Sequence, residues 1–309
     1  MLEDFTVSKL GRVNLIVGKN NSGKSTVLEA LRIYAGNGNE KLLKSIAENR
    51  NEEINIGKLE YKHNEEIRIG EQYYYAELYP YEKAPNIIKI GEEEQSPSKI
   101  FDFKQPFWVY PHKSEIQKRA EVSFVPTNFI PIDELESEWN GINLTDNEEI
   151  VIQALQIIIP DFKRLAFDGN KNKRWVKVKL ANLPKPVPLK SLGDGMLRVL
   201  QIAIKLVSAQ GGFLLIDEFE NGLHYSVQEK IWALLFEMAE KLDIQVFATT
   251  HSWDCIESFS KVAFENETTE GVLFRMGRSA KTSNKGQVIA TVYDKERLYN
   301  ITQADIEVR

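Results

Sequence analysis

At 309 residues, with 42% hydrophobic and 27% charged side chains, the chain is long enough for one full core or two small ones and has ordinary globular composition. A net charge of −6 and a pI near 5.5 exclude a uniformly basic nucleic-acid coat. The single cysteine, Cys255, excludes an intrachain disulfide framework and a cysteine-based zinc cluster, as expected in a reducing compartment. No 18-residue apolar run occurs, and the opening "MLEDFTVSKL" lacks the basic start and apolar stretch of a signal peptide. The expectation is a cytoplasmic protein with no membrane partner.

In chain order, "FTVSKL" and "RVNLIVG" are strand candidates. The second is apolar after Arg12 except for Asn14, as suits a parallel strand buried on both faces. A helix follows in "SGKSTVLEALRIYAG", with Val27, Leu28, Leu31 and Ile33 on its apolar side and Gly36 as C-cap. Residues 37–119 turn polar and Glu/Lys-rich, with strand-like stretches in "NEEIRIG" and "EQYYYAELY" and loops marked by prolines. They are expected to form an inserted β-rich lobe between core segments 1–36 and 120–309. "EVSFVPTNFIPI" returns to a buried strand and turn, "DNEEIVIQALQIII" reads as a helix ended before Pro160, and "WVKVKL" alternates as a strand. A helix is expected over about 194–208. It leads into "GGFLLIDEFENGLH", the helix "VQEKIWALLFEMAEKL", the strand "IQVFATTHS", the helix "WDCIESFSK" and two closing strands. This alternation predicts a doubly wound α/β core with a mostly parallel sheet.

"GKNNSGKST" holds G-x-x-x-x-G-K-S between a buried strand and a helix. In such a loop the backbone N–H groups of Asn20, Asn21, Ser22, Gly23, Lys24, Ser25 and Thr26 wrap phosphates. Lys24 neutralises β/γ charge, and the Ser25 hydroxyl ligates Mg²⁺. The chain is therefore expected to be an ATPase with ATP and Mg²⁺ as cofactors. In "LLIDEFENGLH", Asp217 stands at the end of a buried strand, placed to hold Mg²⁺, and Glu218 is placed to deprotonate attacking water. Acids after strands also serve as helix caps, but an upstream P-loop in the same chain favours the ligand reading. His251 ends the next strand in "ATTHSWD", where an imidazole donates to a γ-phosphate or, alternatively, caps the following helix with Ser252. His63, His112 and His224 have no metal-ligand spacing. "PLKSLGDGM" brings Ser191, Gly193 and Gly195 to a helix N-terminus, a second anion-binding loop far from the first.

The order P-loop, "SLGDG" helix, apolar-Asp-Glu and strand-"TTHS" resembles the ABC-type ATPases of the SMC, RecF and OLD (overcoming lysogenization defect) group, above all its OLD-like members. The resemblance covers about 10–35 and 120–309. It implies an ABC-type P-loop NTPase head that dimerises, or assembles further, around nucleotide. Lys24, Ser25 and Asp217 would then bind MgATP, with Glu218 as general base and His251 on the γ-phosphate. Ser191 and Gly193, with Gly195, would reach the ATP of the other subunit. Two departures stand out. Leu192 separates Ser191 from Gly193, and "FVPTNFIP" offers Thr127 and Asn128 where the group places a glutamine. The stretch after His251 is too short for the Toprim nuclease of OLD proteins proper. The resemblance thus implies a switch or scaffold for a separate effector, such as a Toprim-type nuclease, in bacterial antiphage defence.

Residues 161–205 carry eleven Lys and Arg against three Asp. This local excess is a candidate DNA-binding surface, which would suit the alternative of a RecF- or SMC-type repair ATPase. A solvated strand face with basic residues that discourage edge pairing explains it as well.

Overall fold

The computed structural model describes residues 2, 5–35, 40–50, 121–170, 173–279, 286–304, 306 and 308, and the backbone of five strands between 54 and 102. Gly36, His63 and His112 lie outside the described residues.

The central sheet runs β14-β13-β1-β12-β11-β7, comprising β1 (Val13–Gly18), β7 (Val122–Val125), β11 (Phe213–Ile216), β12 (Gln245–Thr250), β13 (Gly271–Arg278) and β14 (Val288–Tyr293). Every neighbouring pair is parallel except β13 with β14. The expected mostly parallel α/β sheet of a P-loop NTPase is therefore present.

Side-chain alternation along these strands builds two cores. On one face Val13, Leu15 and Val17 join Leu214, Ile216, Val246 and Ala248. This face is covered by α5 (Asp194–Ser208), α6 (Tyr225–Lys241) and α7 (Trp253–Glu265). On the other face Ile16, Leu215 and Phe247 meet Val27, Leu28 and Leu31 of α1 (Lys24–Ala35). The period of two sends consecutive residues of each strand to opposite helical layers, which is why the strands read as unbroken apolar runs.

The expected strand "FTVSKL" is not one: residues 5–10 are irregular. Both edges of β1 are already taken by β12 and β13, so no ladder beside it is free. Leu2 and Phe5 instead fill the core beside α1. The helix predicted up to Pro160 stops earlier, as α4 (Asp146–Gln156), because the chain must turn into β8 (Phe162–Asn170). Gln156 seals that turn by donating to the Phe162 carbonyl at 2.8 Å. Helix α3 (Ile132–Ile142) precedes it.

Within the stretch of altered composition, α2 (Glu40–Arg50) sends Leu43, Ile46 and Ala47 into the core that α1 covers. Next come β2 (Ile54–Lys58), β3 (Asn64–Ile69), β4 (Gln72–Glu77), β5 (Ile87–Gly91) and β6 (Ser98–Asp102). They form a separate antiparallel sheet in sequential order. A third sheet pairs β8 with β9 (Lys173–Leu180) and β10 (Val187–Pro188), and α8 (Lys295–Gln303) follows β14.

The turn after β11 is anchored by aromatic stacking. Phe219 lies on Trp232 of α6 with ring centroids 3.9 Å apart, and Phe259 of α7 meets the same indole edge-on at 5.1 Å. All three are fully buried. Trp232→Ala is expected to cost about 3–5 kcal/mol of stability, read as a lower urea midpoint.

Candidate functional site

A parallel sheet places the C-terminal ends of its strands along one edge, and in open α/β folds ligands bind there. Here β1, β11 and β12 end in Gly18, Ile216 and Thr250, and the motif residues follow them directly.

After β1 the chain makes the tight loop 18–23. Ser22 N–H donates to the Lys19 carbonyl at 3.2 Å, and Asn21 takes a left-handed φ of 60°. Asn tolerates that region better than most side chains. Gly23 has φ 92°, and a Cβ there would sit 3.0 Å from Leu2. Helix α1 begins at Lys24, leaving the N–H groups of its first turn without helical acceptors. Asn20, Asn21 and Ser25 are exposed, whereas Ser22 Oγ is buried without a protein partner. Lys24 Nζ folds back onto the Gly18 carbonyl at 2.8 Å. Burial holds its pKa below the ordinary value, and Asp217, Glu218 and Glu220 work in the opposite direction.

Asp217 gathers hydroxyls from three elements. Thr249 Oγ1, fully buried at the end of β12, donates to Asp217 Oδ1 at 2.6 Å. Thr127, in the loop after β7, donates to Oδ2 at 3.2 Å, and Ser25 Oγ approaches Oδ2 at 3.4 Å. Thr249 also accepts from the Glu218 N–H at 2.9 Å, so one hydroxyl sets both acids. Glu218 itself has φ 49°, a left-handed conformation that costs a non-glycine residue about 1–2 kcal/mol. Arg198 of α5 donates to the carbonyls of both acids and of Pro126.

His251 lies beside the acids, with Nδ1 3.6 Å from Glu218 Oε1 and 3.5 Å from Glu220 Oε1. Glu220 fixes the start of that segment, accepting from Thr250 Oγ1 at 2.7 Å and His251 N–H at 3.1 Å. Ser252, not His251, caps α7, accepting from Cys255 N–H at 3.4 Å. His224 caps α6.

The P-loop, Asp217, Glu218 and His251 are thus brought together. The loop carrying Ser191, Gly193 and Gly195 is placed elsewhere. Ser191 sits in a short 3-10 turn and donates to the Pro188 carbonyl at 2.6 Å. Gly193 caps α5 with φ 101°, and a Cβ there would meet nothing within 4 Å. At Gly195 a Cβ would lie 3.0 Å from the Gly222 carbonyl, so this loop abuts the turn that follows the acids. The sequence points to Thr127 in this loop but gives Thr249, Glu220 and Arg198 no evident place in the site. The signals were there: a threonine inside an apolar strand and an arginine inside an apolar helix.

The donor set suits Mg²⁺. Ser25 and Asp217 present hard oxygens, and a Mg²⁺ held with nucleotide phosphates needs few protein ligands. Among the described residues no cluster of three or more His, Cys, Asp or Glu forms a denser metal site. A cavity of about 830 Å³ opens beside Ser25 and Asp217, bounded by Leu28, Arg32, Phe124 and Asn128.

The basic stretch is partly engaged within the chain. Arg174 pairs with Glu136 at 2.7 Å, Lys177 with Asp168, and Lys205 with Glu134 at 2.8 Å and Glu138. Lys179 donates to the carbonyls of Leu183 and Pro184. Lys163, Arg164, Lys173, Lys185 and Lys190 remain exposed. No helix among the described residues is long and apolar enough to cross a membrane.

Two family models match: "AAA ATPase domain" over residues 2–123, and "AAA domain, putative AbiEii toxin, Type IV TA system" over 151–254. An "ATP/GTP phosphatase" of Helicobacter pylori is 27% identical over 219 residues, covering 67% of this chain and 53% of that protein. The chain therefore spans about half the length of that curated relative. Among solved structures, an SMC head domain from Thermotoga maritima aligns at 14% identity, covering 95% of this chain and 96% of that one, with a TM-score of 0.44. CbiO1 from Clostridium perfringens aligns at 16%, covering 94% and 80%, with a TM-score of 0.42.

Thr249→Val keeps the shape of the side chain but leaves Asp217 and the Glu218 N–H each short of a partner. It is expected to cost about 1–3 kcal/mol, measured by urea unfolding, whereas Thr249→Ser should cost less. The sheet order and the phosphate-loop geometry give this chain the α/β fold of a P-loop NTPase, and the two models it matches both describe ATPase domains.

Proposed function

We propose that the chain binds MgATP and hydrolyses it within a nucleotide-dependent homodimer of ABC type, acting as a switch or scaffold for a separate effector in bacterial antiphage defence. The observation that carries the chemistry is the approach of Ser25 to Asp217 across the P-loop, with Glu218 and His251 on the same rim. Loop 18–26 would cradle the phosphates with backbone N–H groups, and Lys24 would leave the Gly18 carbonyl to meet β/γ charge. Ser25 and Asp217 would hold Mg²⁺, which supplies charge neutralisation on the phosphates when bound. Glu218 would take the proton of the attacking water, and His251 would contact the γ-phosphate.

Dimerisation is supported by the open stance of Gly193. Its N–H-rich loop leads into α5, and no protein atom fills the space a Cβ would occupy there. Closing it over the phosphates of a partner's nucleotide would complete both sites of a two-fold pair. Leu192 shifts Gly193 into the capping position, so Gly193 rather than Ser191, whose hydroxyl is spent on Pro188, would make the closest approach.

The effector and the defence role are supported by the OLD-like phrasing of "LLIDEFENGLH" and "ATTHSWD" and by the toxin–antitoxin description of the second matched model. The exposed cations Lys163, Arg164 and Lys173 favour a second reading, a repair ATPase acting on DNA. Stimulation of hydrolysis by duplex ends with steep salt dependence would select it, whereas co-purification of a neighbouring gene's product would select the effector reading.

Glu218→Gln is expected to lower kcat by about a hundredfold or more while leaving ATP affinity unchanged, because it removes the base and spares the Mg²⁺ ligand. Hydrolysis at the wild-type rate in that variant would reassign the base. Gly193→Glu is expected to leave ATP binding to the monomer intact and abolish nucleotide-driven dimerisation. Light scattering with and without ATP reads that outcome, and an unchanged dimer would remove the loop from the shared site.

A further inference from the structure

Arg198 is among the largest fully buried side chains of the protein, at 0% exposure. It sits on the second turn of α5, a helix otherwise packed with Met196, Val199, Leu200 and Ile202. A buried cation ordinarily takes a carboxylate partner. Among the described residues none forms an ion pair with it. Instead Nη1 donates to the Pro126 carbonyl at 2.6 Å, and Nη2 donates to the carbonyls of Asp217 and Glu218, both at 2.9 Å. Nε is buried without a partner. Burial lowers the guanidinium pKa to about 10, with the nearby acids opposing the shift, so the group stays charged near neutral pH.

These bonds converge on one strained point. Glu218 holds φ 49°, and its carbonyl also accepts from Asn221 N–H at 3.0 Å. Two consecutive carbonyls turned toward one nitrogen require a sharp backbone turn, and Arg198 occupies the position that rewards it. The same arginine reaches the loop after β7 that carries Thr127, a hydroxyl donor to Asp217. Its own helix abuts the turn again at Gly195, where a Cβ would lie 3.0 Å from the Gly222 carbonyl.

We propose that Arg198 is a positioning residue for Glu218: its fork of donors holds the left-handed turn that aims the carboxylate, and ties that turn to the helix whose N-terminal loop carries Gly193. The loop expected to meet a partner's nucleotide and the acid expected to activate water therefore move as one body. This inference rests on the reading of Glu218 as the base. It assigns Arg198 no contact with nucleotide.

The test compares steady-state hydrolysis by the full chain as wild type, Glu218→Gln, Arg198→Met, Arg198→Lys, and the double variant Arg198→Met/Glu218→Gln. Fluorescent-nucleotide binding and thermal melting accompany each. Arg198→Met is expected to lower kcat at least tenfold with nucleotide affinity within twofold of wild type. The double variant should be no slower than Glu218→Gln alone, because the arginine acts only through that carboxylate. Arg198→Lys keeps the buried charge but cannot span three carbonyls, so its kcat should fall between wild type and Arg198→Met. If Arg198→Met does not fold, Arg198→Lys carries the test alone: a rate threefold or more below wild type with unchanged affinity supports the proposal, and a wild-type rate overturns it. Multiplicative loss in the double variant also overturns it, since a merely structural defect would add to the loss of the base. Glu218→Gln at the wild-type rate strikes instead at the identity of the base, and the proposal falls with it.

Discussion

The carboxylate of Asp217 is the point on which the site turns. It accepts from Thr249 at 2.6 Å and Thr127 at 3.2 Å, and Ser25 approaches within 3.4 Å. These three hydroxyls belong to three different segments, and they converge because β7, β11 and β12 lie side by side in parallel with β1 next in the sheet. Parallel strands end along a common edge, so residues far apart in the chain arrive as neighbours. A one-residue slip of β11 against β12 would turn Thr249 away and leave an acid without its strongest donor.

Keeping this edge functional makes demands on the interior. Glu218 takes a conformation disfavoured for an L-residue, and a charged guanidinium is buried behind it. Both are tolerable because the turn is pinned from several sides. Phe219 is clamped on Trp232, Phe219 N–H donates to the Thr249 carbonyl at 2.9 Å, and Arg198 satisfies the carbonyls of Asp217 and Glu218. Strain of this kind persists only where surrounding structure over-determines it. The aromatic clamp and the polar network are therefore two parts of one device, the first supplying rigidity and the second direction.

The glycine-bracketed loop before α5 sits against the same turn from outside. Its helix packs against the acid-bearing turn, yet its leading glycine opens away from protein atoms. In the proposed dimer, the loop that would meet one copy's nucleotide and the acid-bearing turn of its own copy would belong to one rigid body. Arg198 makes that body continuous within each chain.

The phosphate loop, the acidic pair and the histidine were legible in the sequence because each depends on local chemistry: glycines for a tight loop, an acid after an apolar strand, a histidine after the next. The parallel sheet was legible for a similar reason, since strands buried on both faces show as unbroken apolar runs. Tertiary structure alone decided which residues hold those groups. Thr249, Glu220 and Arg198 act across 32, 30 and 20 positions of sequence, and no periodicity marks such pairings. Tertiary structure also overruled the strand expected at residues 5–10, because pairing depends on which edges of β1 remain free. The same limit applies to the basic stretch. Composition shows its charge, but only the fold shows that Arg174, Lys177 and Lys205 meet carboxylates of their own chain.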